Sequence, residues 1–479
     1  MPATDRNSRG AALASRFYEA RQRASRAHRP GARDLPIVSG LNAQCQSVVP
    51  LENVWVEVQG ILVGTERVFC YGNNVVLEVG QGEDATLVVL STGQFIETGA
   101  ESWLSNFFVC QTTPAKLDDL PKQFPPPRKL VENLLRREPT LQAFPWVEHY
   151  SRRPVFDDQF ILRGPGWHPE VGILVHSVDI DSILPDNATT EGAVLDRLPT
   201  HLRQLLNDFC FTSDADVANA VAVLLTGLLV SHFVISGKPV VLLDGNQAGV
   251  GKTLLARVIS VVLDGVDPQL IHYTPDDEEL QKRIVSTLRG SQQSVLVFDN
   301  AKLKAGIAIS SPTIEANSVA PEVSLRILGK SENYRRPNDV LWFITMNDTK
   351  ASPDLVSRGL PIRFSYEGDP AQRNFDGRDP IDYACEHRQE ILGELAGMVV
   401  RWNQAGRPPG HRRHRLARWA ELVGGVLCAN GLPEGLTNLD EAASQFNTEL
   451  DELAALAEVV LASSAGPVVY TTLDHQERQ

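Results

Sequence analysis

The chain has 479 residues, enough for two to four domains, and its 43% hydrophobic and 22% charged residues exclude a disordered, collagenous or coiled-coil protein. The 45 Lys and Arg against 59 Asp and Glu give a net charge of −14, which excludes a uniformly basic nucleic-acid coat and leaves only local basic channels. Six cysteines, at 45, 70, 110, 210, 385 and 428, form no Cys-x-x-Cys pair, so neither a zinc ribbon nor a dithiol site is written, and a reducing, cytoplasmic compartment is expected.

Residues 1–35 read as a flexible basic arm: eight Arg stand against three acids in 1–34, and no apolar signal core follows the polar start. Over 36–120 the runs VWVEVQGILV, RVFCYGNNVVLEV and DATLVVL predict a small β-rich domain. The proline-rich LPKQFPPPRK at 120–129 predicts a boundary or rigid connector, and 121–200 a connector with little chemistry. From 201 to 368 helical spacing gives way to the strand VVLLD and an α/β core with a parallel sheet. Residues 369–465 read as an all-α domain and 466–479 as a polar tail. The 21 residues from Val217 to Gly237 carry no charge, the length of a membrane span. Polar Asn219, Thr226, Ser231 and His232 favour a buried helix, so no membrane is expected as a partner.

The strongest motif is GNQAGVGKTLLARVIS from Gly245, between an apolar strand and an amphipathic helix, where a phosphate-binding P-loop belongs. Gly245, Asn246, Gly249, Val250, Gly251, Lys252, Thr253 and Leu254 are the expected nucleotide-binding residues, with ATP and Mg²⁺ as ligands. The glycines let backbone N–H groups converge on phosphate. Lys252 reaches the β- and γ-phosphates, and Thr253 holds Mg²⁺ through its hydroxyl. Asn246 stands where the strict pattern has glycine, and its tolerance of left-handed backbone is the expected reason.

Forty-seven residues after Lys252, QSVLVFDN predicts a buried strand presenting Asp299 to the metal's water shell. Asn300 follows where many ATPases carry a water-activating Glu, and Glu278, Glu279 and Glu315 are alternative bases. VLWFITMND then ends a second strand at Asn347, an amide placed to orient the lytic water. Eleven residues on, Arg358 is a candidate finger for a neighbouring subunit's nucleotide, so the expected catalytic set is Lys252, Asp299, Asn347 and Arg358. Taken singly, each is also an ordinary turn or surface residue; their order and spacing point to nucleotide chemistry.

Strand, P-loop, Asp-ended strand, Asn-ended strand and Arg in that order resemble the AAA+ ATPases. SPTIEANSVAPEVSLRILGKSENYRRPNDVLWFITMND resembles more narrowly the superfamily 3-like helicase modules of phage and integrated-element primase-helicases. The resemblance covers about residues 120–450. It implies a homo-oligomeric ring, hexameric in that family's manner, with single-stranded or forked DNA in its pore. Lys302, Lys304, Arg326, Lys330, Arg335 and Arg336 around a hairpin are then the candidates to grip phosphates, beside the plainer reading of a solvated loop face. The first function implied is an ATP-driven DNA motor serving a phage or mobile element. A loader or defence-system ATPase, and an ATP-binding scaffold with little hydrolysis, stand as alternatives.

Overall fold

Seven strands and eight helices of the described chain position the site. The strands are β1 (Val240–Gly245), β2 (Leu270–His272), β3 (Val295–Asp299), β4 (Glu322–Arg326), β5 (Asn333–Pro337), β6 (Leu341–Thr345) and β7 (Gly359–Phe364). The helices are α1 (Asp214–Leu228), α2 (Lys252–Asp264), α3 (Asp277–Ser291), α4 (Pro312–Asn317), α5 (Pro353–Ser357), α6 (Pro380–Glu386), α7 (Arg388–Gln404) and α8 (Ala417–Ala429). The computed structural model describes residues 35–441 and 456–462, except 43–45, 48, 73, 81–84, 91–102, 114–119, 178, 186–188, 292, 302–307, 328–331, 348–349 and 373–377. The tail, the arm but for residue 35, and Lys302, Lys304 and Lys330 lie outside the described residues.

The central sheet has the order β2-β3-β6-β1-β7, and every neighbouring pair is parallel. Its strands are nearly continuous apolar runs because both faces are covered. Alternation along each strand sends Val241, Leu243, Val297 and Phe343 to one face, where they share an apolar cluster with α1, α2, α7 and α8. Leu242, Phe298, Trp342 and Ile344 face the other side, packed with α3, α4 and the β4–β5 hairpin.

The charge-free stretch forms α1 and a following 3-10 turn, and α1 is buried from Ala215 to Leu228. Among the described residues no helix is long and apolar enough to cross a membrane. The C-terminal helices do not keep a core of their own: Leu392, Trp402 and Trp419 belong to the same cluster as the sheet and α1.

Three sequence expectations change in the first 200 residues. VWVEVQGILV, read as strand, lies in the helix Leu51–Val63, because Val54, Val58 and Leu62, four apart, are its buried residues while Val56 is 58% exposed. Helical period overrides β-branched propensity there. The proline-rich stretch runs inside one packed unit, since Leu130, Val131 and Leu134 share a cluster with Val38, Val54 and Phe108. The connector carries structure and charge: Trp146–Val147 pairs with Val68–Tyr71, and fully buried Arg153 bonds Asp264 at 3.1 Å, Ser294 Oγ at 2.8 Å and the Gly227 carbonyl at 2.9 Å.

Candidate functional site

The loop from Gly245 to Gly251 leaves the C-terminal end of β1 and opens α2. Gly249 and Gly251 stand at φ +87° and +105°, the left-handed region that a side chain disfavours, so both glycines are required by the turn. Gly245 is required for space instead: a Cβ there would lie 2.6 Å from Val250 Cγ2 and 2.9 Å from Lys252 Nζ. The Lys252 side chain is thus folded back over the start of the loop, buried, with Nζ donating to the Gln247 carbonyl at 2.9 Å.

Asn246 does not use the left-handed freedom expected of it, since the positive-φ non-glycine residues among those described are Glu66, Phe160, Asn300, Arg407 and Leu436. Its amide instead clasps the segment after β7. Asn246 Nδ2 donates to the Tyr366 carbonyl at 3.0 Å, and the Tyr366 N–H donates back to Oδ1 at 3.3 Å. Asn246 N–H reaches the Phe364 carbonyl at 3.2 Å.

Across the sheet, Thr253 Oγ1 donates to Asp299 Oδ1 at 2.7 Å, and Thr345 Oγ1 donates to the same oxygen at 2.9 Å. Thr253 opens α2, Asp299 ends β3, and Thr345 ends β6, the strand between β3 and β1. Asn300 stands at φ +56° with its N–H on Thr345 Oγ1 at 2.8 Å. Asn347 follows two residues after β6 rather than ending it, so its amide leaves the sheet between the Asp299 strand and the loop strand. Nothing in the sequence flagged Thr345 or Gln247, because both act through partners on other elements.

Arg358 lies at the opposite end of the sheet. It caps the C-terminus of α5, and its carbonyl accepts the Val240 N–H at 3.2 Å, where β1 begins. The length of β1, about 16 Å, separates it from the Gly245–Gly251 loop of its own chain. Its guanidinium bonds the Glu315 carbonyl at 2.5 Å and Asp354 at 3.0 Å, and Asp354 also holds Arg415 at 2.5 Å. The Glu315 carboxylate is taken by Ser352 Oγ at 2.6 Å, while Glu278 and Glu279 pair with Lys282 and Glu279 with Arg283 along α3.

Of the hairpin cations, Arg326 is exposed, and Arg335 is half-exposed with Glu322 3.8 Å away. Arg336 does not belong with them. It is fully buried, ion-paired with Asp339 at 2.5 Å and 5.4 Å from the Tyr71 ring centre, because alternation along β5 turns it inward. Asp339 also accepts the Tyr71 hydroxyl and lies 3.7 Å from His149, and Lys238 donates to the neighbouring Asn338 carbonyl. Burial pulls Lys238 down to about 7 and His149 to about 4, against the pull of Asp339.

The residues fit a magnesium nucleotide. The turn glycines and folded Lys252 would serve as an anion cradle. The Thr253 and Asp299 oxygens are hard ligands of the kind Mg²⁺ takes alongside phosphates and water. No cluster of three or more His, Cys, Asp or Glu suited to a metal occurs among the described residues.

No protein-family model matches the chain, and no curated protein does. Among solved structures it is similar to the A form apo structure of the NrS-1 C terminal region, at 12% identity and TM-score 0.38, over 88% of this chain and 83% of that one. It is also similar to the apo NrS-1 C terminal region (305-718), at 10% identity and TM-score 0.36, over 79% and 75%. An inhibitor-bound JCV helicase matches at 16% identity and TM-score 0.26, over 44% and 54%.

Proposed function

We propose that the chain is an ATP-hydrolysing enzyme working as a ring-shaped, helicase-like motor on DNA. The observation that carries the ATPase reading is the contact of Thr253 with Asp299 beneath a glycine turn that folds Lys252 over its own start. Mg²⁺ bound there would supply positive charge to offset the charge that builds during phosphoryl transfer. Thr253 and Asp299 would hold it, the N–H groups at Gly249 and Gly251 would hold phosphate, and Asn347 would orient water. Arg358, a sheet's length from the loop of its own chain, would serve the nucleotide of a neighbouring copy, which supports an oligomer. Exposed Arg326 and Arg335 support contact with a phosphate backbone.

The scaffold alternative, with slow hydrolysis, draws on Asn300: its left-handed backbone suits Asn or Gly and disfavours the Glu that would activate water. ATP turnover of the purified protein, with and without single-stranded and forked DNA, tests the proposal, with Lys252→Ala as the blank. Turnover stimulated by DNA and abolished in the variant is expected. Nucleotide binding without turnover would transfer the reading to a scaffold.

A further inference from the structure

The phosphate loop is tied to one further segment by bonds that its phosphate chemistry does not need. Residues 366–370 follow β7 and precede α6, which packs on α2. Gln247 Nε2 donates to the Tyr366 carbonyl at 2.8 Å and to the Gly368 carbonyl at 3.0 Å. Asn246 adds its two-way bond to Tyr366, so two side-chain amides converge on one carbonyl. At the far end Pro370 closes on the loop: a Cβ on Gly249 would lie 3.2 Å from Pro370 Cβ. The segment therefore straps the loop from its second residue to its fifth.

Gln247 works at both ends. Its side chain holds the strap, while its own carbonyl accepts Lys252 Nζ at 2.9 Å. A phosphate oxygen in the loop carries negative charge and competes for that ammonium better than a neutral carbonyl, since charge–charge attraction exceeds the pull of a carbonyl dipole at the same distance. Resting on the ATPase reading above, we propose that Gln247 is a positioning residue that reports phosphate to the strap: loss of Lys252 from its carbonyl reorients the peptide whose side chain fixes Tyr366 and Gly368.

Hydrogen–deuterium exchange of the peptide covering 365–370, with and without Mg²⁺ and a non-hydrolysable ATP analogue, tests this, with nucleotide affinity measured in parallel. In the unaltered protein, nucleotide is expected to change exchange there by about fivefold or more. Gln247→Glu is isosteric but offers only acceptors to two carbonyls, and Gln247→Ala removes the amide without adding charge. Either is expected to raise basal exchange and remove the nucleotide response, while β6 stays protected. A merely structural bond would raise basal exchange and leave the response in place, and that result overturns the proposal. So does an unaltered protein that binds nucleotide with no change at 365–370, which leaves the ATPase reading standing. Failure of the unaltered protein to bind nucleotide overturns the ATPase reading itself, and this proposal with it.

Discussion

The Asn300 N–H donates to Thr345 Oγ1 at 2.8 Å, and that same hydroxyl donates onward to Asp299 at 2.9 Å. The chain turns sharply after the carboxylate, at φ +56°, and the turn brings the amide of residue 300 back onto the adjacent strand. Asparagine is one of the few side chains that tolerate this region. Asn300→Gly should therefore leave stability within about 0.5 kcal/mol. Asn300→Glu should cost about 1 kcal/mol and leave ATP turnover no faster. Urea unfolding and steady-state turnover check both. A Glu variant that gains tenfold in turnover would sink the structural account of Asn300.

Thr253 and Thr345 both spend their hydroxyl protons on Asp299 Oδ1, which aims the carboxylate at the loop. Asp299→Asn keeps the shape but loses the charge that would hold a divalent ion. Turnover should fall about a hundredfold, and the Mg²⁺ concentration for half-activity should rise. Thr253→Ser, which keeps the hydroxyl, should retain most of the activity, and Thr253→Ala should not. Equal losses from Ser and Ala would argue against metal ligation by this hydroxyl.

Much of this was legible in the sequence because it is local. The glycine turn between β1 and α2, the apolar runs of β1, β3 and β6, and Asp299 at a strand end follow from spacing along the chain. What was not legible depends on which strands become neighbours. Thr345 meets Asp299 because β6 lies beside β3, and Asn246 finds Tyr366 because β7 lies beside β1. Arg336 was misplaced for a related reason: Arg335 and Arg336 look alike in sequence, and only the pairing of β4 with β5 over the core decides which one is buried. The helix Leu51–Val63 differs from the strand expected of its sequence because a Val-rich run fits alternation and helical spacing at once.

Arg358 and Arg415 share Asp354, so the candidate finger is held in place, partly buried. Arg358→Ala should leave nucleotide affinity nearly unchanged and lower turnover by about a thousandfold. If the arginine acts on a neighbour, mixing Arg358→Ala with Lys252→Ala should restore part of the lost activity, because some interfaces then pair an intact loop with an intact arginine. No recovery, with mixed assembly demonstrated, would remove the role in trans.

Asp339 gathers Arg336, the Tyr71 hydroxyl and His149 in a buried cluster where the N-terminal sheet meets the β4–β5 hairpin. Its carboxyl lies below the usual range: burial, the largest effect, opposes the charge, and Arg336, His149 and the Tyr71 hydroxyl together more than offset it. Asp339→Ala leaves the Arg336 guanidinium buried without its carboxylate and should cost about 3–5 kcal/mol. Replacing Tyr71 by Phe removes one bond to a charged group and should cost about 1.5–3 kcal/mol. Urea unfolding checks both, and a loss below 1 kcal/mol for Asp339→Ala would contradict this account.

Lys238, fully buried beside this cluster, gives stability a dependence on pH. Burial lowers it to about 7 from an ordinary value of 10.5, with Asp339 opposing and Arg336 and Arg153 adding to the fall. Between pH 7 and 10.5 the unfolded chain binds this proton and the folded chain does not, so stability rises with pH across that window and the contribution is flat below it. Lys238→Met carries no such titration. Its melting temperature relative to the unaltered protein should be most favourable at pH 7 and should decline steadily toward pH 10. A difference that stays constant over that range would mean that Lys238 keeps its proton in the folded protein, with Asp339 rather than burial deciding its charge.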